Sequence, residues 1–203
     1  MQLSDYNDPY YLKKQYDITN VFGIENHIES INNNNSLNYI LFLLKAFRET
    51  KMLQSPKYYL EYHKKFENLN KKMLIKCCMI NNISNPEYIK SLLHAVYIFS
   101  INTGDLRIII TEALIVSLQN KSYDIIPLLF TYRTIMFWDD FIRERYKNET
   151  NVNLIEQELK FLLEKNILDE AEINVAFYSI DSRYFPLKIQ VCSRFDCLQH
   201  YKN

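Results

Sequence analysis

Apolar residues recur along most of this chain at helical spacing. Leu37, Ile40, Leu41, Leu44 and Phe47 follow Ser36, whose hydroxyl suits a helix cap, so the spacing predicts a helix from there to about Met52. Ser55-Pro56 is a second start signal, with continuation through Lys71–Ile80 and a break expected near Asn68–Asn70. Asn85-Pro86-Glu87 combines a cap, a first-turn proline and an acid favoured by the helix dipole, and predicts a helix through Leu92, Leu93, Val96 and Phe99. Asp105 is the expected cap of the next, to about Leu118, whose apolar residues surround it and imply burial on most sides. Its run Ile108–Ile110 admits a strand as the second choice.

The stretch Tyr123–Tyr146 carries the bulkiest side chains: Phe130, Met136, Phe137, Phe141 and the sole tryptophan, Trp138. It reads as a central helix, with Pro127 either kinking it or marking its true start. Leu154, Leu159, Leu162 and Leu163 predict another helix, with Glu156 and Lys160 paired across one turn, and Asp169 caps a further one through Phe177. Leu187–Val191 reads as a last helix, with a short C-terminal strand as its alternative. The fold class is therefore all-α: an irregular bundle or stacked helix pairs of about eight or nine helices. Residues 1–35 are set apart as a helical and polar, tyrosine-rich arm, and 36–203 as one helical domain.

Composition narrows the function. The 203 residues are 48% hydrophobic and 14% aromatic, enough to build a core. Glycine occurs twice, at Gly23 and Gly104, which argues against glycine-rich phosphate loops and nucleotide sites built on them. Basic and acidic residues balance at 24 each, so no global basic field exists to hold nucleic acid. Lys13-Lys14, Lys64-Lys65 and Lys71-Lys72 read as wet helix faces rather than a nucleic-acid patch. The opening residues lack a basic start and an apolar run, so no signal peptide is read and a cytoplasmic, reducing setting is expected. The richness in Ile, Asn, Lys and Tyr is the mark of an AT-rich genome, such as that of a large DNA virus, an amoeba, an apicomplexan or an AT-rich bacterium.

Ser91–Ile109 (SLLHAVYIFSINTGDLRII) resembles a stretched ankyrin unit, with LLHA and GDLRII where ankyrins carry TPLHxA and GHxxIV. That resemblance implies helix-pair stacking and protein binding without catalysis; the turn glycines are missing. Asp181–Tyr184 (DSRY) resembles a late motif of the DotU-type secretion proteins, whose membrane helix this sequence lacks.

Three groupings raise chemistry. Asp139, Asp140 and Glu144 form DDxxxE, and on a helix these carboxylates share a face, as metal binding requires. The pattern resembles the magnesium motif of class I terpene synthases, but the second motif of that family needs more chain than follows Glu144. Arg143 and Arg145 stand ready to neutralise the acids. Cys192-x4-Cys197-x2-His200 has the short spacing of half a zinc site, yet its natural complement, Cys77-Cys78, reads better as two small buried hydrophobes. His94 lies on an apolar helix and reads as a core residue, and no nucleophile elbow or HExxH occurs.

The expectation is a non-enzymatic, intracellular protein acting through contact with another protein, as a viral or pathogen host-interaction or scaffold component. No cofactor is called for. Trp138, Phe141, Arg143 and Arg145 are its interface candidates. The alternative is a metal-dependent enzyme using Asp139, Asp140 and Glu144.

Overall fold

A computed structural model describes residue 28 and residues 56–80, 86–99, 103–131, 136–181 and 187–195. The expected arm and the helix at Ser36–Met52 lie outside the described residues, apart from Ile28.

The described residues are all-α, with eight α-helices and no strand. These are α1 (Pro56–Cys78), α2 (Pro86–Phe99), α3 (Thr103–Gln119), α4 (Ile126–Leu129), α5 (Trp138–Tyr146), α6 (Val152–Glu164), α7 (Glu170–Ser179) and α8 (Lys188–Arg194). Helix α1 is unbroken through Asn68–Asn70 and ends in a turn where Met79 N–H donates to the Lys76 carbonyl at 3.1 Å. The expected interruption fails because Leu69, Met73, Leu74, Cys77 and Cys78 form one continuous buried stripe.

Helices α2 and α3 both pack against α1, and α4 packs on both of them. The segment resembling an ankyrin unit therefore makes its main helix contacts with α1, not as a two-helix stack. Helix α3 begins at Thr103, which places Asp105 inside the first turn, where its charge suits the dipole. Ile109, Ile110, Ala113, Leu114 and Leu118 are its inward stripe. Most sides of α3 are buried or half-buried, as expected, but Ile108 is 62% exposed, since it falls off that stripe. His94 is exposed too, because Ile89, Leu92, Leu93 and Val96 already supply the inward face of α2.

The central helix is not one element. Tyr123–Ile125 is a 3-10 turn, and α4 follows with Pro127 in its first turn, where a missing N–H costs nothing. Phe130 then leaves helical geometry, and Thr131 N–H closes a turn on the Leu128 carbonyl at 3.1 Å. Phe137 is extended (φ −91°, ψ 90°), and α5 starts only at Trp138.

The second half follows its local signals closely. Asn151 caps α6 by accepting from the Asn153 and Leu154 N–H groups at 3.1 and 3.3 Å. Asp169 and Glu172 form a reciprocal capping box at the start of α7, with distances of 2.7 and 2.9 Å. Lys160 reaches Glu156 at 2.6 Å across one turn of α6, as the spacing predicts. The strand alternative at Leu187–Val191 is replaced by α8: Val191 N–H donates to the Leu187 carbonyl, the helical i to i−4 bond. Helix α7 packs on α5 and α8 on α6, and one contiguous apolar core joins residues from Ile28 to Cys192.

Candidate functional site: an open groove between α3 and α5

The inward face of α5 is aromatic. Trp138 stacks near-parallel to Phe130 at 6.1 Å between ring centroids, meets Phe141 edge-on at 5.6 Å, and Phe141 meets Tyr146 edge-on at 6.0 Å. Trp138 is 6% exposed and Phe141 fully buried, so both serve the core rather than the surface where interface anchors are sought. Arg145 also turns inward. Its guanidinium donates to the Glu158 carboxylate of α6 at 2.7 Å, with the two side chains only 9% and 3% exposed. Burial, and then the negative charge of Glu158, push the adjacent Tyr146 phenol well above its ordinary value.

The other face of α5 looks outward, across a groove shared with α3. Its volume is about 370 Å³, and Ile108, Ile115, Val116 and Phe137 supply the apolar lining. Ile108 (62% exposed) and Phe137 (48% exposed) stand at its surface, with Ile115 and Val116 half-buried beneath. Thr111 donates to the Arg107 carbonyl at 2.8 Å, which keeps its hydroxyl satisfied within the helix.

Charges rim the groove, and most are paired. Arg143 bridges Asp140 and lies 3.8 Å from Glu144. Lys147 reaches Glu144 at 2.9 Å, and this hydrogen bond, foremost, holds the Glu144 carboxyl below its ordinary range. Lys71 of α1 reaches Glu112 at 3.2 Å. Arg107 instead lies over the Phe137 ring, 4.6 Å from its centroid.

Of the sequence-predicted residues, Asp140, Arg143 and Glu144 meet in this groove; Asp139 does not line it, and Trp138, Phe141 and Arg145 belong to the interior. The Asp140 and Glu144 carboxylates of DDxxxE face basic partners, and among the described residues no cluster of three or more His, Cys, Asp or Glu side chains is arranged to hold a metal ion. In the cysteine grouping, Cys192 is buried, whereas Cys197 and His200 lie outside the described residues. Cys77 and Cys78 are fully buried, as small hydrophobes would be. Arg107, Ile108 and Phe137 were not among the candidates. The exposure of Ile108 follows from packing, which fixes the inward stripe of α3, and the apolar run Ile108–Ile110 does not show it.

No helix among the described residues is long and apolar enough to cross a membrane. No family model, curated protein or solved structure matches this chain.

Proposed function

We propose that this chain is a non-enzymatic binding protein that acts by contact with another protein, and that the α3–α5 groove is the contact surface. The observation that carries the reading is the joint exposure of Ile108 and Phe137 over a half-buried apolar floor inside a charged rim. Large apolar side chains held in water next to one another lose free energy that a partner's surface recovers, and a charged rim limits indiscriminate association. The polar groups of the groove favour binding over chemistry, since its carboxylates already face Arg143, Lys147 and Lys71. The free, buried thiols of Cys77 and Cys78 support an intracellular setting.

A photo-crosslinking amino acid placed at position 108, in cells that normally make the protein, tests this. A discrete protein adduct is expected there, absent from a control placed at the exposed Val175 of α7, and lost on adding Phe137→Ser. Equal adducts at both positions, or none at 108, would refute the reading.

A further inference from the structure

Ion pairing at the rim of the groove leaves one lining cation over. Each of its carboxylates has a cation of its own: Glu112 has Lys71, Asp140 has Arg143, and Glu144 has Lys147. Among the described residues lining the groove, Arg107 is the cation with no carboxylate partner; its contact is the Phe137 ring face. A guanidinium over a ring face still has its N–H donors to offer. An occupant that covers Ile108 and Phe137 also drives water away from Arg107, so those donors then need an acceptor from the occupant. A carboxylate answers that need with two parallel hydrogen bonds.

We propose that the groove takes an acidic, amphipathic peptide segment of a partner protein: an apolar side chain packs between Ile108 and Phe137, and a neighbouring Asp or Glu pairs with Arg107. This rests on the binding reading above and adds the chemistry of the occupant. The space is open and holds a few side chains, which fits a linear segment better than the face of a folded domain.

The test is selection of random peptides displayed on phage against the full chain, run in parallel on Ile108→Asp, Arg107→Ala and Arg107→Glu. Circular dichroism and Trp138 fluorescence verify that each variant is folded. Peptides enriched on the wild-type chain and lost on Ile108→Asp are expected to carry Asp or Glu beside Leu, Ile or Phe. Their affinity should fall at least about tenfold on Arg107→Ala, the scale of one lost charge-assisted hydrogen bond, and Arg107→Glu should select Lys or Arg in place of the acid. Groove-dependent peptides with no acidic preference, or with affinity untouched by both Arg107 variants, would overturn the acidic occupant while leaving the groove as a binding site. No peptides lost on Ile108→Asp would overturn both. A concentration-dependent dimer in light scattering that Ile108→Asp abolishes would put a second copy in the groove and overturn the peptide proposal.

Discussion

Glu158→Ala is expected to be among the most damaging single substitutions in this protein. The Glu158 carboxylate sits on α6 and receives the Arg145 guanidinium of α5 at 2.7 Å, with the side chains 3% and 9% exposed. At that separation and an effective dielectric of about 20, the Coulomb attraction is roughly 6 kcal/mol before desolvation is subtracted. Much of that attraction offsets the cost of taking two ions out of water, so the pair itself adds little net stability. Removing one member is different. Alanine at 158 leaves the guanidinium buried without its counter-charge, at a loss of about 3–5 kcal/mol. Against a total stability of about 5–15 kcal/mol for a typical domain, that is a large share. For a chain of this size it corresponds to a fall in Tm of roughly 6–20 °C.

The assay is thermal and urea unfolding followed by fluorescence of Trp138, which is buried on the same helix as Arg145 and is the chain's sole tryptophan. The double variant Arg145→Met/Glu158→Leu separates the two halves of the argument. It removes both charges and keeps the volume, so it should recover most of the loss and melt well above Glu158→Ala. If Glu158→Ala stays within about 1 kcal/mol of the wild type, the pair is not buried in solution. If the double variant is as unstable as the sum of its parts, the penalty does not come from an orphaned charge.

Two further outcomes follow from the perturbed groups. The folded-state pKa of Glu144 lies below the ordinary glutamate value of 4.5, chiefly through the Lys147 hydrogen bond, so its stabilising contribution is present above the unfolded-state value and lost as pH falls through the lower folded one. NMR titration should place its midpoint below 4.5, with Lys147→Met moving it up; a wild-type midpoint at or above 4.5 refutes the pairing. Burial, foremost, pushes the Cys78 thiol up to about 12, against the lowering effect of the Ser117 hydroxyl. At pH 8 that leaves about one thiolate in ten thousand, so iodoacetamide mapped by mass spectrometry should miss Cys78 in the native protein and label it fully in denaturant. Native labelling at the rate of a free thiol would contradict its burial.

Where a feature is set by neighbours three or four positions away, it is legible in this sequence. The Asp169–Glu172 capping box, the Asn151 cap and the Glu156–Lys160 pair all come from such spacing, and so does the inward stripe of α2. What spacing cannot supply is the direction in which a charged residue meets a distant one. Glu158 lies thirteen positions from Arg145, and although it falls at helical spacing between the buried Ile155 and Leu162 of α6, that spacing does not name its partner on α5. Asn70 is hidden for the same reason, fully buried in α1 with no hydrogen-bond partner for its amide among the described residues.

The exchange of roles between Phe137 and Trp138 is instructive because the two are adjacent and both large. Size alone ranks tryptophan first as an interface anchor. The start of α5 decides otherwise: Trp138 is its first residue and turns onto Phe130 and Phe141, whereas Phe137, still extended, is left beside Arg107 at the mouth of the groove. That boundary depends on where the chain leaves α4, which no periodicity across Tyr123–Tyr146 marks. Ile108 is left outside the core by packing as well. Ile109, Ile110, Ala113, Leu114 and Leu118 already complete the buried stripe of α3, so an isoleucine outside it has no core to enter. In this chain, then, the core claims Trp138 and Phe141, and the exposed apolar surface of the groove is made by Ile108 and Phe137, which the packed helices leave outside it.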